Sequence, residues 1–234
     1  MESPRPSKEL LAFTNKCVYD RAPILKFVQS AATTLPAGAR VLDAGSGSAP
    51  YRELFTAFEY VTADWPNSPH AEAEQADITC SLDAIPVAGT SFDAVLCTQV
   101  LEHVPEPRDV LRELHRVLVP GGRLWMTVPF VWELHEEPYD FYRYTHHGVR
   151  RIVKDAGFEV LSVSPLSGYF TSIAALLRQY PEATGVRKEI RQAPRVALAV
   201  ALRGLAGVLR RMDRLDESGL LPIGFSCDAR RPSA

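Results

Sequence analysis

Residues 135–148 read HEEPYDFYRYTHHG and crowd three His, three Tyr, three acidic residues and one Arg into 14 positions. Imidazoles can move a proton near neutral pH, and carboxylates can orient them or accept hydrogen bonds. Tyrosine adds an apolar wall with a polar tip, which suits a hydroxylated small molecule. His135 is the best base candidate here. Tyr142 is a second catalytic candidate, and Glu136, Tyr139, Asp140 and Tyr144 are candidate substrate lining. Arg143 can pair an acidic substrate group or Asp140 itself. A structural alternative stays open, in which Tyr and Arg clasp the loop over the sheet and Thr145 caps the next helix. A further candidate is His103 in LEHV. It reads either as a base or substrate ligand, or as a helix-terminal His bonded to backbone.

Residues 41–51, VLDAGSGSAPY, read as a strand, a glycine turn and a helix start. Gly45 and Gly47 let the backbone turn tightly and approach a ligand without a Cβ in the way. A helix N-terminus behind such a turn favours an anion. The dinucleotide fingerprint wants Gly or Ala three positions after the second Gly, where Pro50 stands, which speaks against a nicotinamide oxidoreductase. The spacing D-x-G-x-G-x-G/A fits Asp43, Gly45, Gly47 and Ala49 instead. Asp64 follows Asp43 by 21 residues, the distance at which an acid reaches a ribose. Asp77 ends another strand-like run and is followed by apolar Ile78.

The elements that must position these residues alternate. Strand-like runs fall at 40–44, 59–64, 74–78, 92–98, 122–129 and 158–165. The clearest helix, RDVLRELHRVLVPGG, sets Val110, Leu111, Leu114, Val117 and Leu118 on one face and stops at Pro-Gly-Gly. Residues 10–35 carry a helical pattern, with Pro23 near the start of a helix. Such alternation implies a parallel sheet covered on both faces. Past Gly168 the composition turns helical to about residue 216, and LPIGFSCDARR then reads as a last strand. The expected organisation is a single domain over 1–234. It comprises an N-terminal helical region (1–36), a core (37–166), a helical insertion (167–220) and a final strand (221–230).

The totals narrow the function classes. A net charge of −2 and a pI near 6.3 argue against a chain-wide nucleic-acid surface. Cys17, Cys80, Cys97 and Cys227 are scattered with no C-x-x-C pair, so reduced thiols and no metal are expected. The N-terminus lacks an apolar signal region and no apolar run is long enough to span a bilayer, so the expected location is cytoplasmic.

Taken in order, VLDAGSGSA, TAD, QADI, SFDAVLCTQVLEHV, LRELHRVLVPGGRLWMTVP and DAGFEV resemble the class I S-adenosylmethionine-dependent methyltransferases. The likeness is to the small-molecule, type 11-like branch, and it spans about residues 38 to 165. The resemblance implies an α/β fold: a Rossmann-like three-layer sandwich around a seven-stranded, mostly parallel sheet. Its last strand would be antiparallel, with the helical insertion before it. The implied cofactor is S-adenosylmethionine, with S-adenosylhomocysteine as product. Asp43, Ala44, Gly45 and Gly47 would hold its methionine part, and Asp64 with Trp65 the ribose. Asp77 would accept from the adenine amine with Ile78 against the ring, and Thr98 and Gln99 would close over the sulfonium. Ala49 stands where many members carry Gly.

Segments like HE-PYDFYRYT occur among uncharacterised bacterial methyltransferases, so the expected acceptor is a small molecule. A hydroxyl of a sugar, secondary metabolite or lipid-linked metabolite fits best. CTQVLEHV lacks the Asn/Asp-Pro-Pro-aromatic motif of methylation at exocyclic nitrogens, and no nucleic-acid partner is expected. Two alternatives remain at this stage: a non-catalytic cofactor-binding or scaffold protein, and an RNA-directed methyltransferase supported only by a basic helix. That helix, within residues 187–214, carries eight basic residues against two acidic ones, with a stripe of Leu198, Leu202, Leu205, Leu209 and Met212. Peripheral membrane contact, a homodimer seam, and packing on the core with a solvated basic face are the readings open for it.

Overall fold

Strand β1 (Arg40–Ala44) lies next to the central strand of a seven-stranded sheet, and its alternation reaches both cores. Val41 faces one layer and Leu42 the other, each fully buried. The computed structural model describes residues 5–67, 75–183 and 192–233. The sheet order is β3-β2-β1-β4-β5-β7-β6, built from β2 (Glu59–Asp64), β3 (Ile78–Thr79), β4 (Phe92–Thr98), β5 (Leu118–Pro129), β6 (Glu159–Pro165) and β7 (Gly224–Arg230). Pairs β1–β2, β2–β3, β1–β4 and β4–β5 are parallel, whereas β7 runs antiparallel to both β5 and β6. This is the Rossmann-like architecture expected from the sequence, with its antiparallel last strand.

Helices α1 (Lys8–Lys16) and α2 (Arg21–Ala32) cover one face. Leu10, Ile24 and Val28 meet Val41, Leu96 and Trp125 there. On the other face α3 (Pro107–Val117) and α4 (His146–Asp155) bring Leu111, Leu114, Val149 and Val153 against Leu42, Val95, Leu124 and Met126. The period-2 pattern of β4 and β5 divides their side chains between these two cores. Helices α5 (Tyr169–Ala183) and α6 (Gln192–Met212) form the insertion. It packs through Ala174, Ala175 and Ala206 onto Tyr19 and Ile223.

Several boundaries differ from the sequence reading, each for a local reason. The helical pattern over 10–35 is two helices. Ser7 caps the first, its Oγ accepting from Leu10 N at 3.1 Å, and Pro23 sits in the first turn of the second. Helix α3 stops at Val117, because Leu118 is already extended and pairs with Phe92. Leu118 therefore belongs to β5, and the Pro-Gly-Gly run lies in a register shift of that strand rather than beyond a helix end. Strand β3 is two residues long and starts at Ile78, not residue 74. In α6, Ala206 and Leu209 pack inward while Leu205 and Met212 are exposed, so the leucine stripe is not one buried seam. Arg187, Lys188 and Arg191 lie outside the described residues. Among the described residues no helix is long and apolar enough to cross a membrane.

Candidate active site

In the parallel part of the sheet, β1, β2, β4 and β5 end on the same side, and β1 and β4 lead away from the centre in opposite directions. A crevice opens where neighbouring strands diverge this way, and ligands bind there in open α/β sheets. The turn after β1 occupies it. Gly45 and Ser46 donate their N–H groups to Ala63 O at 2.8 and 3.2 Å, which ties the turn to the end of β2. Gly45 has φ +76°, and a Cβ there would lie 2.4 Å from Val100 Cγ2. Gly47 N donates to Asp64 Oδ2 at 2.5 Å and Trp65 N to Asp64 Oδ1 at 2.7 Å, so the carboxylate is aimed by two backbone donors.

These residues line a cavity of about 800 Å³, together with Thr98, Gln99 and Val100 from the end of β4. Gln99 sits at φ +53° and is fixed by two contacts to Thr127, N to O and Nε2 to Oγ1, both 3.0 Å. A non-glycine residue in the left-handed region persists only where its surroundings over-determine it, a pattern common at ligand sites. Glu136, at φ +53° on the far wall, is another such residue.

That far wall comes from the segment after β5. His135, Glu136 and Tyr139 line the cavity, and His103 joins them from the 3₁₀ turn after β4. The rest of the segment holds the loop. Arg143 makes a two-pronged pair with Asp140, Nη1 to Oδ1 at 2.6 Å and Nη2 to Oδ2 at 2.8 Å, and Nη2 also donates to Glu133 O at 2.6 Å. Tyr142 OH donates to Pro105 O at 2.7 Å and Tyr144 OH to Leu101 O at 2.8 Å. Phe141 N and Tyr142 N both reach Glu102 O. Thr145 caps α4, accepting from Gly148 N at 3.1 Å. Asp140, Tyr142, Arg143 and Tyr144, expected at the substrate or in catalysis, therefore do not line the cavity. Their polar atoms are spent on the clasp.

Two cofactor expectations also shift. Asp77 Oδ2 accepts from Thr62 N and Thr62 Oγ1 at 2.9 and 2.8 Å, which lowers its pKa, and it pairs with Arg52. The carboxylate thus braces β2, and neither Asp77 nor Ile78 lines the cavity. Ser81, Leu82 and Asp83 stand on the wall instead. Asp43 and Ala44 are buried behind the turn, and Tyr60 OH donates to Asp43 Oδ2 in a short hydrogen bond. Burial pushes the Asp43 carboxyl up to about 7 despite that bond.

Burial likewise pushes Glu102 up to about 8, and among the described residues neither of its carboxylate oxygens has a hydrogen-bond partner. Desolvation lowers the pKa of the neighbouring His103, so it favours the neutral ring. Its Nδ1 lies 2.7 Å from Tyr139 O. The backbone-bonded reading of His103 and its place on the cavity wall thus hold together.

The sequence reading missed the roof. Phe13, Lys16, Cys17, Asp20, Arg21 and Ile24 of α1, α2 and the turn between them line the cavity, as does Trp132. Arg21 is fixed by donating from Nη1 to Phe13 O at 3.0 Å, with its guanidinium over the Phe13 ring. Burial pushes the Cys17 thiol up to about 12, so it is not a ready nucleophile. The one signal of such a roof was an amphipathic pattern preceding the glycine turn.

The cavity suits an adenosyl sulfonium cofactor on three counts. The glycine turn leaves no room for a side chain at Gly45, Asp64 presents a fixed acceptor for a diol, and Leu82 and Val100 supply apolar surface. Comparisons with known proteins agree. Residues 42–126 match the family model described as a methyltransferase domain. An uncharacterised methyltransferase of Mycobacterium sp. (strain KMS) is 31% identical over 177 residues, spanning 65% of this chain and 69% of that protein. Human thiol S-methyltransferase TMT1B is 38% identical over 81 residues, covering 35% of this chain and 31% of that one. Among solved structures, the [4+2]-cyclase SpnF superposes with a TM-score of 0.59 at 20% identity, over 92% of this chain and 82% of its own, and shows likeness of fold alone. Motif order, sheet topology and the shared sequence together make this chain a member of the class I S-adenosylmethionine-dependent methyltransferases.

Proposed function

We infer that the chain methylates an oxygen of a small polar acceptor. The observation that carries this reading is the composition of the wall facing the glycine turn. There His103, His135, Glu136 and Tyr139 line the cavity that residues of α1 and α2 also line. Bound S-adenosylmethionine supplies a methyl group already activated by its sulfonium. The chain's own residues must then align an acceptor and keep water out. Gly45 and Gly47 bring backbone close to the cofactor's amino-acid end, and Asp64 takes the ribose. Ser81, Leu82 and Asp83 take the adenine side, in place of Asp77 and Ile78. Thr98 and Gln99 stand at the sulfonium, with Trp65 beside the ribose. Lys16, Arg21 and Trp132 close the acceptor side from above. The imidazole of His135 or His103 can accept the hydroxyl proton as the oxygen attacks.

A thiol acceptor is the second reading, favoured by the partial likeness to the human protein named as a thiol S-methyltransferase. A cavity of about 800 Å³ shared with the cofactor suits a small molecule. The whole chain acts as one domain in this proposal, with the insertion backing the roof. The test is incubation with isotopically methyl-labelled S-adenosylmethionine and matched panels of sugars, phenols, amines and thiols, read by mass spectrometry. Label on oxygen supports the proposal. Label only on sulfur or nitrogen replaces it, and no label in any panel favours the non-catalytic alternative.

A further inference from the structure

We propose that Glu102, His103 and His135 form a divalent transition-metal site at the acceptor end of the cavity. Each residue offers one ligand atom, and these atoms lie within 4.8 Å of one another. Bonds of about 2.0–2.2 Å to a central ion would require each donor to close by less than about 1 Å.

The hydrogen bonds around the two imidazoles determine which nitrogens are available. His103 Nδ1 lies 2.7 Å from Tyr139 O, and His135 Nδ1 lies 3.1 Å from Glu133 O. A carbonyl oxygen can only accept, so His103 Nδ1 carries the proton and its neutral ring keeps a lone pair on Nε2, whereas His135 Nδ1 stands between Glu133 O and the Arg143 Nη2 donor 3.5 Å away, and either of its nitrogens can serve as the ligand. Metal-binding histidines show the arrangement of His103, with a backbone carbonyl fixing the tautomer from behind. The two rings stand 4.7 Å apart at 84°, side by side on the cavity wall.

Glu102 supplies an independent observation. Its side chain is fully buried, yet among the described residues neither carboxylate oxygen has a hydrogen-bond partner. Its Oε1 lies 3.8 Å from His103 Nε2. Buried carboxylates are normally paired, hydrogen-bonded or bound to a cation. The nearest guanidinium, Arg143, is already committed to Asp140 and to backbone carbonyls. Glu136 Oε2, also 3.8 Å from His103 Nε2, is placed as a further donor on the cavity side.

Two imidazoles and a carboxylate select Zn²⁺, Fe²⁺, Mn²⁺ or Co²⁺ over Mg²⁺ or Ca²⁺, which prefer all-oxygen cages. Three protein ligands leave open positions, and His103 and His135 face the cavity. An acceptor hydroxyl can coordinate there and release its proton to water, so that with metal bound His103 and His135 act as ligands rather than as the base. The freed oxygen pair then forms the O–C bond as the C–S bond breaks, and sulfur keeps the pair of the broken C–S bond as the thioether. This role rests on the methyl-transfer reading, whereas the site itself does not.

The experiment is calorimetric titration of chelator-treated, dialysed full-length protein with ZnCl₂ and MnCl₂, alongside the visible spectrum with CoCl₂. Expected is one saturable equivalent and a ligand-field band of mixed nitrogen and oxygen ligation. Glu102→Gln, which keeps the side-chain shape, and His135→Ala should each weaken binding about tenfold or more. A raised unfolding temperature with Zn²⁺ should be seen in the parent and lost in both variants. Circular dichroism of each variant confirms that it is folded. Absence of a saturable equivalent in the parent overturns the proposal. So does binding that persists in folded Glu102→Gln and His135→Ala, or a cobalt spectrum dominated by thiolate charge transfer. S-adenosylhomocysteine binding by the metal-free parent is measured separately, so failure of the cofactor reading is distinguishable from failure of the metal site.

Discussion

Ala49 stands at φ +47° in the turn that follows β1, held by its N–H to Ser46 O at 2.8 Å. An L-residue in the left-handed region is strained by roughly 1–2 kcal/mol, and glycine removes the strain but loses about 0.5–1 kcal/mol of chain entropy. Ala49→Gly is therefore expected to stabilise the protein by about 0.5–1 kcal/mol, measured by urea unfolding. A loss of stability would show that the Ala49 methyl packs better than the turn geometry implies. Asp43 carries a pH signature at the same scale. Its carboxyl is raised by burial from an ordinary 3.8 to about 7, so the folded state favours the protonated form. Its contribution to stability is complete below about pH 4 and falls away as pH rises to about 7, on the order of 2–4 kcal/mol across that window. Asp43→Asn should flatten this part of the stability–pH curve, and an unchanged slope would assign the dependence to another group. The tight turn at Gly45 and Gly47 after β1 was legible in their spacing. That Asp43 faces Tyr60 rather than the cavity was not, because pairing across β1 and β2 depends on register.

At the scale of elements, the loop between β5 and α4 is a clasp carrying a few site residues. Asp140 is nearly enclosed, its side chain 2% exposed, and Arg143 neutralises it through both oxygens. Removing one partner of such a pair leaves a charge with poor solvation. Arg143→Ala should cost about 3 kcal/mol in urea unfolding and loosen proteolytic protection of residues 131–144. A loss under about 1 kcal/mol would mean that the tyrosine and backbone bonds hold the loop alone. The sequence marked this loop as special, and it carried both the substrate-facing and the clasp readings. Which residues did which depended on Pro105, Leu101 and Glu102, all more than 30 positions away. Strand β3 illustrates a different limit. With only two paired residues it has no period to detect, so Asp77 looked like a strand end at the ligand when its partner is Thr62.

For the whole molecule, two cores on either side of one sheet fix four strand ends around a single crevice. The mostly parallel seven-stranded sheet and its antiparallel last strand were legible in the alternating elements and the motif series, whereas the strand order was not. Nor was the roof, because α1, the turn after it and α2 reach the cavity through contacts distant in sequence. The insertion supports that roof where Ala174, Ala175 and Ala206 pack near Tyr19, Val18 and Trp132. Its leucines thus serve in part as packing, while exposed Val200, Leu205 and Val208 lie beside Arg203 and Arg210 on the outer side. The most direct measurement is calorimetric titration of S-adenosylhomocysteine into the protein and into its Asp64→Ala variant. One-to-one binding is expected for the parent, weakened about ten- to hundredfold by loss of the carboxylate. No heat of binding in the folded parent, or equal affinity in the two proteins, would contradict a cofactor seated between the glycine turn and Asp64.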